Sequence, residues 1–259
     1  MEYEDSTKIP LSVAIITKDE EERLPACLNS VAFADEVLVV DSGSRDRTVG
    51  LARSSGAVVM VEKWRGFAGQ KQFAVNQCRH EWVLILDADE RVPEETAMVI
   101  KQEMANNDPM ISAYSFRRKN YFHGQWIKYC GWWPDRIVRL VNRESGGFDG
   151  RHVHESWVVK GKVKDLDAHI EHISFRNYSD LTAKMENYSN LAALEMFEKG
   201  IHAGPFTPIY HGLWMFIRTF LIEMGFFQGF DGFMISLMNA GGSFMKYAKL
   251  REMRVFRKG

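Results

Sequence analysis

The chain has 259 residues, of which 46% are hydrophobic and 26% are charged. That balance excludes disordered and fibrous classes and is typical of a globular protein. A formal net charge of −1 argues against nucleic acid as the main partner. Three widely separated cysteines indicate neither a disulfide framework nor a metal site, so we expect a reducing compartment. The acidic N-terminus lacks an apolar core and is unlike a secretory signal.

Three short apolar runs in the first ninety residues predict buried β-strands. They cover residues 11–17, 36–41 and 82–87, and helix-like spacing at 45–56 and 66–79 lies between them. Strands that alternate with helices form parallel sheets with right-handed crossovers. Ligands of such sheets bind beyond the carboxyl ends of the strands.

Acidic residues follow the third of these strands, in the sequence Asp87-Ala88-Asp89. Two carboxylates at a strand end can hold a hard divalent cation, which in turn neutralises a diphosphate. A solvated pair of acids or a helix cap is the competing interpretation. Burial of the preceding apolar strand favours the interpretation as a cation site, because it places both acids at the carboxyl end of the sheet.

The ends of the other two strands are also polar. Asp41 ends the second strand, where it can accept hydrogen bonds from a base or a ribose. Asp46 and Thr48, which follow it, are interpreted as local capping residues. After the first strand, Thr17 and Asp19 are predicted to face the ligand crevice.

The pattern changes after a helix that opens near Pro93. Strand-like pieces at 113–118, 135–141, 157–161 and 169–175 predict a mixed sheet, and a long helix follows at 177–200.

The segment from Pro205 to Met245 contains eight of the 17 phenylalanines and only three charged residues. Glycines and charges interrupt it before the roughly 20 apolar residues that a spanning helix needs. An amphipathic helix lying on an anionic membrane is therefore predicted. The last fourteen residues carry six basic side chains and one acidic one. This positive charge favours binding to anionic lipid headgroups. A core helix pair or a dimer interface is the alternative.

The run from Leu11 to Glu90 resembles the donor-binding half of inverting, GT-A-type glycosyltransferases of family 2. That pattern ends its strands in Thr-x-Asn-Glu, Val-Asp-Asp-Gly-Ser-x-Asp-x-Thr and Asp-x-Asp. In this chain the second motif reads Val-Asp-Ser-Gly-Ser-Arg-Asp-Arg-Thr over residues 40–48, and Asp19 stands in place of the usual Asn. A looser likeness to bacterial lipopolysaccharide-core glucosyltransferases extends over the whole chain.

The resemblance implies roles for the donor-side residues. Thr17 and Asp41 would contact the nucleoside, with Asp19 beside them. Asp87 would bind the ribose or a metal, and Asp89 would ligate Mn²⁺ or Mg²⁺. Lys71 and Asn76 match a basic residue and an Asn near the donor, although a solvent-exposed helix face is the competing interpretation for Lys71.

The acceptor and the base are expected in the second half. Trp132 and Trp133 are suited to stacking on a sugar, and one of the two is expected to be core. The resemblance implies that Glu155 is the catalytic carboxylate, with Asp135 as the reserve candidate. It also implies that His172 completes the metal site, with His154 as its rival and as a candidate acceptor contact.

The predicted fold is therefore a GT-A, Rossmann-like mixed α/β sheet flanked by helices, with a C-terminal membrane-associating helical segment. Residues 1–200 would form the catalytic domain, with a donor half at 10–90 and an acceptor half at 110–176. Residues 201–259 would form the membrane segment.

The predicted function is metal-dependent, inverting transfer of glucose from a UDP-linked sugar to a lipid-linked glycan, at the cytoplasmic face of the bacterial inner membrane. A polyprenyl-phosphate glycosyltransferase, a non-catalytic nucleotide-sugar-binding protein, a nucleotidyltransferase and a homodimer are the open alternatives.

Overall fold

The computed structural model describes residues 8–149 and 156–256. The described chain alternates strands and helices at first and becomes helical towards its end. The strands are β1 Ile9–Thr17, β2 Ala34–Asp41, β3 Val58–Val61, β4 Trp82–Asp87, β5 Glu90–Arg91, β6 Ile111–Phe122, β7 Gln125–Trp126, β8 Arg136–Asn142, β9 Gly146–Phe148, β10 Trp157–Val159 and β11 Lys162–Phe175. The helices are α1 Leu24–Ser30, α2 Thr48–Ser54, α3 Gly66–Gln77, α4 Glu94–Asn106, α5 Tyr178–Glu198, α6 Thr207–Ile217 and α7 Gly229–Phe256.

Within these residues, one large mixed sheet has the strand order β3-β2-β1-β4-β8-β6-β11-β5, with β7 paired to β6. Strands β1 to β4 run parallel, and β8 pairs antiparallel with β4. The chain steps outward from β1 to β3 and then returns to the other side of β1 as β4. Crevices for ligands form at such a reversal of strand order.

Alternate residues of the central strands pack into two separate hydrophobic clusters. Val13 and Ile15 of β1 belong to a cluster with α1 and α4 residues, whereas Ala14 and Ile16 belong to one with residues of α3. Since successive side chains of a strand point to opposite faces, both faces of β1 are covered. This burial explains why β1 and β4 are continuously apolar rather than alternating.

The predicted mixed α/β sheet is confirmed, with differences at individual elements. Helix α1 and the short edge strand β3 were not predicted. Strand β3 was missed because only its two middle residues, Val59 and Met60, pack against the core clusters, whereas Val58 and Val61 at its ends are exposed. So short a strand shows neither strict alternation nor a long apolar run. Pro93 precedes α4 as its cap rather than lying inside it.

Contacts divide the chain into two compact units. The first contains residues 1–118 and 135–172, and the second contains residues 119–134 and 173–259. The functional division proposed at residue 200 stays a prediction.

In the second unit, helices α6 and α7 pack closely around Gly212. A Cβ atom at that position would lie 3.1 Å from the Cβ of Phe244. A π-helical turn, Arg218–Ile222, follows α6. In this turn Thr219 is buried and bonds to the carbonyl of Met215, while Arg218 pairs with Glu223.

The stretch from residue 206 to residue 233, here called the apolar segment, leaves twelve large apolar side chains exposed. They are Phe206, Ile209, Tyr210, Leu213, Trp214, Leu221, Ile222, Met224, Phe226, Phe227, Phe230 and Phe233. Among the described residues no single helix has the length and apolarity to cross a membrane, although α6 with its π-helical turn and α7, bent by 69°, satisfy that test as a pair.

Part of the basic C-terminal charge is used inside the second unit. Lys249 on α7 bonds to Ser189 and pairs with Glu186 on α5. Arg254 bonds to the carbonyl of Phe197 and stacks on its ring at 4.1 Å. These two side chains therefore join α5 to α7. Arg257 and Lys258 lie outside the described residues.

Candidate active site

The loops that follow β1 and β2 are bound to each other by reciprocal hydrogen bonds. The amide of Asp19 donates to Ser44 Oγ at 2.8 Å, and the amide of Arg45 donates to Asp19 Oδ1 at 2.7 Å. Asp46 accepts from the amides of Glu21 and Thr48. Asp46 thus has the local structural role expected for it, and Asp19 joins the two loops.

Asp41 lies at the end of β2, in register with Thr17 of β1. Its side chain is 1% exposed, and Oδ1 accepts from the amides of Gly43 and Ser44, each at 2.9 Å. Gly43 has a φ of 89°, which suits glycine in this turn. The hydroxyl of Thr17 is buried and has no hydrogen-bond partner among residues 8–149 and 156–256. A buried polar group of this kind needs a partner, so Thr17 offers a contact to a ligand.

Lys71 and Asp87 form an ion pair at the same edge, in which Lys71 is buried and the Asp87 side chain is 24% exposed. The Lys71 ammonium is 2% exposed and lies 2.9 Å from Asp87 Oδ1 and 3.0 Å from Oδ2. The solvent-exposed interpretation of Lys71 is therefore wrong. Lys71 is carried by α3, which packs on one face of the sheet, while Asp87 ends β4.

A series of ion pairs continues from Asp87 towards Asp135. Arg139 of β8 bridges Asp87 Oδ2 at 2.9 Å and Glu90 Oε1 at 2.7 Å. Arg118 of β6 lies 3.7 Å from Glu90 Oε1 and donates to Asp135 Oδ2 through Nε at 2.8 Å and Nη2 at 2.6 Å. We refer to this series as the ion-pair chain. Its residues in order are Lys71, Asp87, Arg139, Glu90, Arg118 and Asp135.

These cations determine the charge state of Asp87. Burial alone would raise the pKa of its carboxyl, but the positive charges of Lys71 and Arg139 outweigh burial and hold that pKa well below its usual range. Asp87 is therefore a carboxylate at neutral pH. A metal ion would have to compete with Lys71 and Arg139 for this carboxylate. Asp87 is therefore better suited to accept a hydrogen bond from a ribose hydroxyl than to ligate a metal.

Asp89 and His172 come together because β5 pairs with β11, with His172 opposite Glu90. His172 Nε2 lies 3.5 Å from Asp89 Oδ1, and Arg23 Nη1 lies 3.5 Å from Asp89 Oδ2. No group of three acidic, histidine or cysteine side chains suited to a metal occurs in the described part of the chain. A carboxylate and an imidazole nonetheless fit Mn²⁺ or Mg²⁺, which commonly takes its remaining ligands from water and substrate phosphates.

The other predicted contacts are more dispersed. Asn76 is exposed at the end of α3, where it accepts a hydrogen bond from Gln72. Trp132 packs against the core cluster of the second unit and lies 5.6 Å from the Phe175 ring. Trp132 is thus the tryptophan that serves as core.

Trp133 instead makes an edge contact with Trp126 at 5.0 Å between ring centroids. It stays the candidate for sugar stacking. Glu155 and His154 lie outside the described residues, so their predicted roles rest on the sequence.

Four charged residues of the site were missed by sequence reasoning: Arg23, Glu90, Arg118 and Arg139. A signal existed for Arg139, because it interrupts an otherwise apolar part of a strand and a buried charge requires a partner. Its partners could not be read from the sequence, since Asp87 and Glu90 lie about fifty residues away.

The mixed sheet with an acidic carboxyl edge is a GT-A, Rossmann-like fold, and the similarity to known families shows the class of enzyme. The chain belongs to glycosyl transferase family 2, whose family model matches residues 12–165. It is 34% identical to an uncharacterized glycosyltransferase of Rickettsia typhi, over 94% of this chain and 87% of the relative. It is 31% identical to the lipopolysaccharide core biosynthesis glycosyltransferase LpsC of Rhizobium meliloti, over 95% of this chain and 93% of the relative.

The fold has a counterpart among solved structures. A glucosyl-3-phosphoglycerate synthase from Mycobacterium tuberculosis, in complex with Mn²⁺, UDP and glucosyl-3-phosphoglycerate, aligns with 74% of this chain and 80% of its own. The TM-score is 0.50 at 16% sequence identity. This similarity concerns the fold alone.

Proposed function

We propose that this glycosyltransferase moves glucose from a UDP-linked donor to a hydroxyl group of a lipid-anchored glycan, such as the inner core of lipopolysaccharide, with inversion at the anomeric carbon. The convergence of Asp89, His172 and the Lys71–Asp87 pair on one sheet edge is the observation that carries the donor side of the proposal. Similarity to LpsC over nearly the whole chain supports the acceptor class.

On the donor side, Thr17 and Asp41 would bind the nucleoside, and Asp87 would accept a hydrogen bond from a ribose hydroxyl of the nucleotide. Asp89 and His172 would hold a divalent cation. When bound there, a divalent cation would supply positive charge that stabilises the departing diphosphate. The ammonium of Lys71 adds a second positive charge to the same edge.

On the acceptor side, Glu155 would remove the proton from the attacking hydroxyl. The acceptor oxygen forms a bond to the anomeric carbon while the bond from that carbon to the diphosphate oxygen breaks. Attack from the face opposite the leaving group inverts the configuration. Asp135 is less suited to act as the base because Arg118 already donates two hydrogen bonds to one of its oxygens.

A panel of nucleoside diphosphates, each with and without Mn²⁺, tests the donor side by thermal shift. UDP with Mn²⁺ should raise the melting temperature most, because a ligand that binds only the folded state stabilises it. A larger shift with another nucleotide would contradict the UDP assignment, and shifts independent of Mn²⁺ would contradict the metal.

The base is tested by replacing Glu155→Gln, with Asp135→Asn as the matched comparison. The Glu155→Gln variant should bind UDP normally and lose turnover by at least about a hundredfold, the usual contribution of a general base. Equal loss of binding and turnover would instead indicate a structural role for Glu155.

The acceptor class is tested by the partition of the radiolabelled product. A glycan product should stay with lipopolysaccharide and resist extraction into organic solvent. Label extracted as a lipid phosphate ester would favour a polyprenyl-phosphate acceptor, which needs no strong base.

The apolar segment supports a further part of the proposal, attachment to the cytoplasmic face of the inner membrane. Tyr210, Trp214, Phe227 and Phe230 are each more than half exposed. Tyrosine and tryptophan are favoured at a membrane interface because one end of each is apolar and the other is polar, and the two phenylalanines add apolar surface. The excess of basic residues at the C-terminus fits an anionic surface. The apolar side chains would supply most of the binding, because Lys249 and Arg254 are engaged with α5.

Sedimentation with vesicles of phosphatidylglycerol and phosphatidylethanolamine tests this attachment. The wild-type chain should sediment with the vesicles, and a variant with Tyr210, Trp214, Phe227 and Phe230 changed to Ser should stay in solution. If the variant binds equally well, the apolar segment is not the membrane contact. If the wild type does not bind vesicles but is a dimer in solution, and the variant is a monomer, the exposed surface would instead be the contact between two copies of the chain.

A further inference from the structure

The central ion pair of the ion-pair chain, Arg139 with Glu90, is buried. Arg139 is 7% exposed and Glu90 is fully buried. A buried ion pair is poor evidence of stabilisation, because hydrophobic residues of the same volume often serve stability as well or better.

Glu90 holds Asp87 in two ways. Its Oε2 accepts a hydrogen bond from the Asp87 amide at 3.1 Å, which fixes the main chain at the end of β4. Its Oε1 receives Arg139 Nη2 at 2.7 Å, and the same nitrogen lies 2.9 Å from Asp87 Oδ2. The buried side chain of Glu90 thus holds the main chain of Asp87 directly and its carboxylate through Arg139.

Lys71 approaches the same carboxylate and lies within 3.0 Å of both of its oxygens. Two cations from different elements, α3 and β8, therefore define the orientation of Asp87. A lysine alone is a flexible point charge, whereas the planar guanidinium of Arg139 imposes a direction.

We propose that Arg139 is a positioning residue, which together with Glu90 holds the Asp87 carboxylate in the orientation that binds the donor. The inference rests on the proposed function, because it takes Asp87 to be a contact of the nucleotide-sugar. Arg139 itself need not touch the substrate. Removal of a residue that orients a metal ligand from behind typically changes affinity or activity about 10- to 100-fold, and we expect an effect of the same order for a residue that orients Asp87.

The test separates orientation from charge balance. Arg139→Met leaves the buried Glu90 without its closest cation, so the variant should melt at a lower temperature. In the double variant Arg139→Met/Glu90→Gln the charges are balanced again, and the Gln side-chain oxygen can still accept from the Asp87 amide. The double variant should therefore recover most of the wild-type melting temperature.

Binding of the nucleotide is expected to behave differently. The Kd of UDP with Mn²⁺, measured by calorimetry, should rise about 10- to 100-fold in Arg139→Met and stay raised in the double variant. Arg139→Lys, which keeps the charge without the planar fork, should give an intermediate Kd. The control Arg136→Met, on the same strand but bonded to Ser115 and Leu166, should bind UDP as the wild type does.

Two results would overturn the inference. In the first, the double variant regains UDP affinity together with its melting temperature, which would make Arg139 a charge-balancing residue. In the second, Arg139→Met binds UDP with wild-type affinity. If the wild type prefers another nucleoside diphosphate, the UDP assignment fails, and the same comparison of variants is made with the preferred nucleotide.

Discussion

The two compact units of this chain depart from the usual distribution of side chains in opposite directions. In the first unit, charged residues that are normally solvated are buried at the carboxyl edge of the sheet, as Lys71 and Glu90 show. In the second unit, large apolar residues that are normally buried are exposed on the apolar segment. Buried charges and contiguous exposed apolar groups are the two departures that carry information about function.

The difference separates what each unit contributes. Charges buried in the first unit are paired with one another, so they can hold defined orientations around a charged ligand. Aromatic side chains of the second unit such as Phe227 and Phe230 contact neighbouring rings and still leave more than half of their surface exposed. These phenylalanines therefore offer apolar contact area and no charged or hydrogen-bonding groups. The proposed binding of the donor therefore depends on the first unit, and the proposed membrane attachment depends on the second.

The largest expected effect concerns Asp89. Replacement of Asp89→Ala should reduce transfer on the order of 10³-fold, because a metal ion contributes several kcal/mol to stabilising the developing charge. The matched control Asp35→Asn, which removes an exposed carboxylate at the start of β2, should retain activity. Transfer assays with Mn²⁺ and with EDTA measure both variants. Wild-type rates in Asp89→Ala, or full activity in EDTA, would remove the metal from the mechanism.

Stability should respond to apolar residues according to burial. Phe122 is 1% exposed in the core cluster of the second unit, whereas Phe230 is 68% exposed. Phe122→Ala should lower the free energy of unfolding by about 3–5 kcal/mol. Phe230→Ala should change it by less than about 0.5 kcal/mol. Urea denaturation compares the two, and a large loss in Phe230→Ala would mean that the apolar segment is part of the core.

Acid should weaken the first unit through Asp87. Because its pKa is lowered in the folded state, its contribution to stability is present above the pKa of the unfolded chain, about 4. The contribution is lost as the pH falls from there towards the lower folded value, with a slope of at most about 1.4 kcal/mol per pH unit. Urea denaturation from pH 7 to pH 3 should show this slope, reduced in Asp87→Asn. An equal slope in both proteins would show that other carboxyls account for the acid sensitivity.

The smallest effect is expected at Asp19. Its φ of 53° lies in the left-handed region, where Asp and Asn are tolerated better than other side chains. Asp19→Asn keeps an oxygen for the Arg45 amide and should change stability by less than about 0.5 kcal/mol. Asp19→Ala should cost about 1–2 kcal/mol, since it loses both the hydrogen bond and the conformational preference. Equal stability of Asn and Ala variants would refute this account.

The sequence allowed prediction of the sheet, because uninterrupted apolar strands such as β1 and β4 have only one stable environment. It also allowed prediction that Thr17, Asp41 and Asp87 share an edge, since parallel strands place their ends together. It did not allow prediction of β3, a four-residue strand in which only Val59 and Met60 pack against the core.

The chemistry of the site was less accessible from the sequence. The burial of Lys71 depends on the rotation of α3 against the sheet, which local spacing does not determine. Arg139 and Glu90 were missed because their contacts join residues far apart in the chain. The choice between Trp132 and Trp133 as core was likewise decided by tertiary packing against Phe175.

The pairing of β5 with β11 makes the proposed cation site dependent on strand alignment. Strand β5 has only two residues, and it sets His172 opposite Glu90. A shift of β5 by one residue would set a different residue opposite His172 and carry Asp89, which directly precedes β5, away from the imidazole. A misaligned molecule would keep nearly all of its hydrophobic core and yet lose this pair of ligands. Affinity for Mn²⁺ would therefore report on the fidelity of folding at this edge, where spectroscopic measures of helix and sheet content would not.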